Sequence, residues 1–260
     1  MLKKLSLLIL FLGVTLAVTG CFGNTPPPEP KGDTLTQEQL NELFPEAVNV
    51  FYCVIWGLER GPAPDGLADK INSPSIKQFS GQPFQEKAVS PTNFTWTGPD
   101  SGGWYQTTAT FGSPGGHTCE DVIKFRHFSN TRLSEYKGEE NVLDGSTVIW
   151  KNAQSFHGSR GNTGLWSGNH SLTYIDIVNN VSQTLKVNFS NVSDINCSGT
   201  FDAWINLTGP NPIADHQYAH YVLVYDPAGA PSPDTPYHLT GWHENPSNTL
   251  DQWVAPPPLL

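Results

Sequence analysis

Apolar and polar side chains alternate strictly in the second half of the chain, and this alternation constrains the fold more than any other feature. The apolar positions of two such runs are Leu185, Val187 and Phe189, and then Phe201, Ala203, Ile205 and Leu207. Because successive side chains of a strand point to opposite faces, the pattern predicts strands with one buried and one solvent-facing side. Further strands are predicted, from their aromatic and β-branched residues, at 104–111, 122–128, 147–151, 172–178, 218–225 and 237–242.

A tight turn is expected at Asn179-Asn180, between the strand segments 172–178 and 181–189. Asn tolerates the positive φ that two-residue hairpin loops require. Consecutive strands joined by such turns predict an antiparallel meander.

One segment before the strands has helical periodicity. Its apolar residues cover one stripe and then other faces: Ala47, Val50, Phe51, Val54, Ile55 and Leu58, with Val48, Tyr52, Cys53 and Trp56. A helix that is apolar nearly all round is buried on several sides. The sequence therefore predicts one buried helical segment near the N-terminus.

The ends of this segment carry helix signals. Thr34 or Thr36 is expected to cap a first helix, with Gln37 or Gln39 as its capping-box partner. Pro45 fits the first position of a helix, so it is expected to begin a second helix that ends near residue 58.

Together these patterns predict that residues 34–260 form a single α+β domain that is mostly β. A sheet curled around the helix, as an open barrel or half-barrel, would bury the helix on several sides. This arrangement resembles the half-barrels of periplasmic lipid-carrying lipoproteins in fold pattern only. A two-sheet sandwich with the helix at one end is the alternative architecture.

The first 20 residues have the parts of an export signal. Lys3 and Lys4 are positive, and residues 5–18 are mostly apolar but too few for a comfortable membrane span. The run ends in Val18-Thr19-Gly20-Cys21, which resembles the bacterial lipobox. The resemblance implies cleavage before Cys21 and a lipid on the Cys21 thiol.

A lipid on Cys21 implies a location in the cell envelope, on the outer membrane if the cell is Gram-negative, facing the periplasm or the surface. Residues 21–33 would then be a tether, because their prolines favour an extended, semi-rigid chain. The net charge of −10 makes nucleic acid a poor partner, since phosphate backbones attract basic patches.

Three cysteines remain if Cys21 carries lipid. Export permits a disulfide, and Cys119 with Cys197 is the expected pair because both lie beside strand-like segments. Cys53 lies in the apolar helix and is expected to be a small buried hydrophobic residue.

Histidines are concentrated near the C-terminus. His216 and His220 would share one face of a strand, with Asp215 close by. Imidazole and carboxylate are zinc ligands, so a metal-assisted hydrolase is the alternative function. No spacing of a known zinc motif is present, and no cofactor is expected.

Seven tryptophans lie in or beside predicted strands and Gly-rich turns: Trp96, Trp104, Trp150, Trp166, Trp204, Trp242 and Trp253. Trp204 lies on the face opposite Phe201 and Ala203, so it is expected to face solvent or a partner. Exposed rings stack on sugars or line apolar grooves, which makes Trp204, Trp166 and Trp104 candidate ligand contacts.

No catalytic motif is present that would favour an enzyme. The leading hypothesis is a non-enzymatic, membrane-anchored domain that binds an apolar or carbohydrate ligand or an envelope protein, or that is structural.

Overall fold

The computed structural model describes residues 31–60, 95–112, 116–208, 217–243 and 245–256. Gly32–Leu260 forms one compact unit. Within these ranges one helix, α1 (Gln37–Arg60), precedes the sheet. The strands are β1 (Tyr105–Gly112), β2 (Thr118–Phe128), β3 (Leu133–Asp144), β4 (Thr147–Arg160), β5 (Trp166–Asp176), β6 (Val181–Val192), β7 (Gly199–Thr208), β8 (Gln217–Tyr225), β9 (Tyr237–His243) and β10 (Asn245–Val254).

The ten strands form a single antiparallel sheet in the order of the chain, from β1 to β10. β1 and β10 are its edges, so the sheet is open. The prediction of a mostly β, α+β fold with a meander is therefore confirmed. One continuous sheet also replaces the two-sheet sandwich that the sequence left as an alternative.

The predicted alternation matches the burial of the strands. Leu185 and Val187 on β6 and Phe201 on β7 are fully buried, while Lys186 and Asp202 are exposed. The side chains on one side of the sheet therefore form the hydrophobic core, and we call this side the inner face. The opposite side is the outer face.

The hairpin between β5 and β6 lies where the sequence predicts it, but its loop is longer. Asp176 pairs with Val181, which leaves the four residues 177–180 in the loop. The Asp176 carboxylate accepts hydrogen bonds from the backbone and side-chain N–H groups of Asn179, at 2.9 and 2.7 Å. These bonds fix the wider loop, and only Asn180 has the positive φ, 54°.

α1 begins at the predicted capping box. The Thr36 backbone N–H donates to Gln39 Oε1 at 2.9 Å, and the Gln39 N–H donates to Thr36 Oγ1 at 3.3 Å. Pro45 lies inside this one helix, so the prediction that it begins a second helix is wrong. Burial of Phe44 and Val48 on either side of Pro45 offsets the hydrogen bond that proline removes.

α1 packs against the inner face through its aromatic residues. The Phe44 ring meets those of Trp96 and Phe125 edge-on, with centroids 5.1 and 5.5 Å apart. The Phe51 ring meets Tyr136 and His170, at 5.9 and 4.3 Å. The helix thus covers the centre of the inner face with the protein's own side chains. Within the described residues, no helix combines the length and the apolar character needed to cross a membrane.

A disulfide joins α1 to the sheet, and it is not the predicted one. Cys53 bonds to Cys197 in the loop between β6 and β7, with Cα atoms 4.9 Å apart. The predicted Cys119–Cys197 pair is wrong because Cys119 is buried on β2. Three strands separate β2 from β6, or about 19 Å at the usual strand spacing, whereas a disulfide requires Cα atoms within about 7 Å.

Candidate functional site

Two predicted site residues, Cys21 and His216, lie outside the described residues, as does Asp215. Lipidation and zinc binding therefore stay predictions from the sequence. In the described ranges, no three His, Cys, Asp or Glu side chains are grouped so that they could hold a metal ion.

Aromatic and imidazole side chains lie along the outer face of the last four strands. Trp204 on β7 is half-buried and lies directly opposite the exposed Tyr218 on β8. We call the whole group the aromatic face: Trp204, Tyr218, His220, His238, Trp242 and Trp253.

His220 is held between a carboxylate and an indole. Asp202, His220 and Trp242 are successive cross-strand partners on β7, β8 and β9. His220 Nδ1 lies 2.7 Å from Asp202 Oδ1, and its ring stacks on Trp242 with centroids 6.1 Å apart and planes 22° apart. The carboxylate thereby fixes the orientation of the imidazole against the indole.

The same arrangement is repeated on β9 and β10. His238 Nε2 lies 2.7 Å from Asp251 Oδ1, and the ring stacks on Trp253 with centroids 4.7 Å apart and planes 11° apart. Both carboxylates are exposed. The aromatic face therefore presents ring surfaces that are already ordered, with polar groups at their edges.

Gly241 allows the close approach of β9 to β8 that this stacking needs. Its φ is +146°, and a Cβ atom at this position would collide with the carbonyl oxygen of His220. The glycine thus keeps Trp242 beside His220, since any side chain here would push the two strands apart.

The outer-face row that contains His220 continues across the sheet. Its members are successive cross-strand partners from β2 to β9: Arg126, Glu135, His157, Asn169, Asn188, Asp202, His220 and Trp242. Glu135 accepts a hydrogen bond from Arg126 and lies 2.7 Å from His157 Nδ1. The row is a continuous strip of hydrogen-bonding groups that leads to the aromatic face.

Trp104 lies at the other end of the outer face, beside β1, and does not join the aromatic face. It is only 8% exposed. The Arg126 guanidinium lies 4.3 Å and the Lys137 ammonium 4.7 Å from its ring centroid. Two cations thus cover this ring, an arrangement typical of a structural cation–π contact.

Trp166 is also apart from the other two candidates. It is 2% exposed and belongs to the core on the inner face. It lines a cavity of about 400 Å³ beside α1. The three tryptophans that the sequence offers as ligand contacts thus lie in three separate places. Of the three, only Trp204 lies on an open surface.

His127 and Ser134 form a hydrogen-bonded pair in the wall of the same cavity. The Ser134 hydroxyl lies 3.0 Å from His127 Nδ1. Burial lowers the pKa of His127, and the nearby Asp33 opposes this effect. A lower pKa favours the neutral form of this imidazole, so the positive groups of the cavity wall are its arginines.

Sequence reasoning did not place Trp242, Trp253 and His238 on the same face of the sheet as Trp204. A signal for part of it was present, because His238 and Trp242 share a face of the predicted strand 237–242. The strand pairing that brings Trp253 beside His238 has no such signal in the sequence.

No protein-family model matches the chain, and no curated protein or solved structure shows a significant likeness to it. The fold and the site alone therefore define its class: an open ten-stranded meander that packs on one helix and carries a ring-rich outer face.

Proposed function

We propose that this protein is a lipid-anchored envelope lipoprotein whose domain binds polysaccharide through the aromatic face. The observation that carries the proposal is the pair of His–Trp stacks, each fixed by an exposed carboxylate, on the same face of the sheet as Trp204 and Tyr218. The lipobox at Cys21 supports the anchored location.

The chemistry of the aromatic face suits a sugar polymer. The apolar C–H side of a sugar ring packs on an indole, while its hydroxyls need hydrogen-bond partners around the ring. Asp202 and Asp251 supply acceptors beside Trp242 and Trp253, with carboxylates that are 57% and 78% exposed. Rings and acceptors side by side favour a hydroxylated ligand over a purely apolar one.

The extent of the aromatic face favours a polymer over a single sugar. Its members lie on four consecutive strands, which span about 14 Å at the usual strand spacing. The polar row that reaches Asn188 and Asn169 offers further contacts beyond Asp202. The chain's net charge of −10 disfavours a strongly anionic polymer.

An apolar ligand between helix and sheet is less favoured. Phe44 and Phe51 already contact the centre of the inner face, so α1 occupies the space that a lipid would need in a half-barrel carrier. The aromatic face is on the opposite side of the sheet and is not covered by the helix.

The lipid anchor fits this role physically. Two or three acyl chains hold a protein stably on a membrane, whereas one chain gives only marginal binding. The Pro-rich residues 21–33 would then keep the domain away from the lipid surface and close to the wall polymers of the envelope.

A co-sedimentation assay tests the proposal with the full-length chain in detergent. The probes are peptidoglycan sacculi, chitin and cellulose. We expect at least one polymer to retain the wild-type chain, and Trp242→Ala or Trp253→Ala to weaken binding about tenfold or more, as for a buried aromatic contact.

Val178→Ala is the matched control, because it removes an exposed apolar side chain from the β5–β6 loop, away from the aromatic face. It should leave retention unchanged. Failure of all three polymers to retain the wild-type chain would overturn the proposal, as would full retention of both tryptophan variants.

A further inference from the structure

A cavity lies between α1 and two hairpins, on the inner side of the sheet and apart from the aromatic face. Its volume is about 400 Å³, which is within the range of small-ligand pockets, about 300–1,000 Å³. The residues that matter for its chemistry are Leu43, Glu46, Arg132, Ser134, Arg160 and Trp166.

Arg160 is a fixed and neutralised part of the cavity wall. Its Nη1 donates to Glu46 Oε2 at 2.9 Å, and its Nη2 lies 3.7 Å from Asp194 Oδ2. Its Nε donates to the Gly164 carbonyl at 3.1 Å. All three sides of this guanidinium therefore have protein partners.

Arg132 provides a positive charge that is not neutralised in this way. Its Nη1 donates to the Gly161 carbonyl at 3.4 Å, a long hydrogen bond, and it has no ion pair with any residue of the described ranges. Arg160 is shared by two carboxylates, Glu46 and Asp194, whereas Arg132 has no carboxylate partner in the described ranges. The guanidinium of Arg132 can therefore pair with a carboxylate on a ligand.

Trp166 forms an apolar part of the cavity wall. Its side chain is 2% exposed, and its ring lies 6.3 Å from that of Phe156, centroid to centroid. Its indole nitrogen is fully buried and has no hydrogen-bond partner among the described residues. A ligand in the cavity would therefore contact the ring of Trp166 rather than its N–H group.

We propose that this cavity binds a small hydroxylated carboxylate, of which a hexuronic acid is the simplest example. Arg132 binds the carboxylate, the hydroxyl of Ser134 meets a ligand hydroxyl, and Leu43 and the ring of Trp166 pack on the apolar side. This site shares no residue with the aromatic face, so it stands whether or not that face binds a polymer.

Calorimetric titration of the full-length chain in detergent tests the site. The probes are glucuronate, glucose, which lacks the charge, and hexanoate, which lacks the hydroxyls. We expect glucuronate to bind most tightly, and Arg132→Gln to weaken it about tenfold or more, the usual effect of losing a hydrogen bond to a charged group.

Lys151→Gln is the matched control, because it removes an exposed cation from β4 outside the cavity. It should leave glucuronate binding unchanged, and Arg132→Gln should leave sedimentation with polysaccharide unchanged. The proposal is wrong if glucuronate does not bind, or if glucose or hexanoate binds as tightly. It is also wrong if Arg132→Gln binds glucuronate as tightly as the wild type and the Lys151→Gln control do.

Discussion

The two faces of the sheet use the same residue types in opposite ways. On the inner face, the rings of Tyr136, Phe156 and Phe189 stack one on the next, and each is at most 3% exposed. On the outer face, Trp242 and Trp253 stack on imidazoles and remain partly exposed. Inner rings are ordered by packing alone, whereas outer rings are ordered by polar neighbours. Rings ordered in the second way remain accessible to a ligand.

The histidines repeat this contrast. His170 on the inner face is fully buried, and neither ring nitrogen has a hydrogen-bond partner in the part of the chain that the structure describes. Burial lowers its pKa to about 3. His220 on the outer face has a carboxylate partner, Asp202, at 2.7 Å. The inner imidazole therefore acts as a packed neutral ring, and the outer one as a hydrogen-bonding group.

Truncating one ring on each face should have the largest effect and should differ between the faces. Phe156→Ala should lower the free energy of unfolding by about 3–5 kcal/mol, because it leaves a cavity in the stack on the inner face. Trp242→Ala should lower it by less than about 2 kcal/mol, because the ring keeps solvent contact. Urea denaturation measures both values. Equal losses would mean that the outer rings also belong to the core.

The disulfide contributes to the stability with which α1 is held on the inner face. Reducing Cys53–Cys197 should lower the free energy of unfolding by about 2–5 kcal/mol, since the bond spans 144 residues of sequence. The measurement is urea denaturation with and without dithiothreitol. The double variant Cys53→Ala/Cys197→Ala is the control and should not respond to the reductant.

Acid should affect the inner histidine in a predictable direction. The folded-state pKa of His170 is about 3, below its usual value of 6.5, so the unfolded chain binds the proton more readily. His170 should therefore reduce stability as pH falls below 6.5, by up to about 1.4 kcal/mol per pH unit until about pH 3. Comparing His170→Leu with the wild type by denaturation at pH 7 and pH 5 measures this contribution.

His170→Leu should remove part of the acid sensitivity of the fold. His220→Gln is the variant for comparison, because it removes a partly exposed imidazole from the outer face. An unchanged pH dependence in His170→Leu would show that His170 does not differ between the folded and unfolded chains.

The smallest effect is expected at the outer carboxylates. Asp202→Asn removes the charge beside His220, but the Asp202 side chain is 57% exposed, so the loss of stability should be about 0–1 kcal/mol. The same change should weaken polysaccharide binding if the carboxylate accepts hydrogen bonds from sugar hydroxyls. Denaturation and co-sedimentation on one preparation separate the two effects.

The sequence predicts those parts of the molecule that follow from local periodicity. The alternation at Leu185–Phe189 gives the buried and exposed sides of β6, and the Thr36–Gln39 spacing gives the start of α1. Trp204 follows the same logic, since its side of the strand is fixed by Phe201 and Ala203.

Features that depend on packing across the sheet are not predicted. Cys53 has the environment of an apolar helix residue, and only the position of α1 over the β6–β7 loop makes Cys197 its partner. Likewise, Pro45 disrupts a helix locally, but burial of its neighbours continues α1 through it. The cavity at Arg132 needs three elements to meet, which no local pattern encodes.

The order of the strands has a consequence for how the chain folds. Every strand pairs with its neighbour in sequence, so the sheet can form hairpin by hairpin with little cost in loop closure. α1 is different, because its disulfide partner lies 144 residues later. If the chain is exported N-terminus first, α1 emerges long before its docking surface exists. Its apolar side is then the part of the nascent chain most in need of protection by a chaperone.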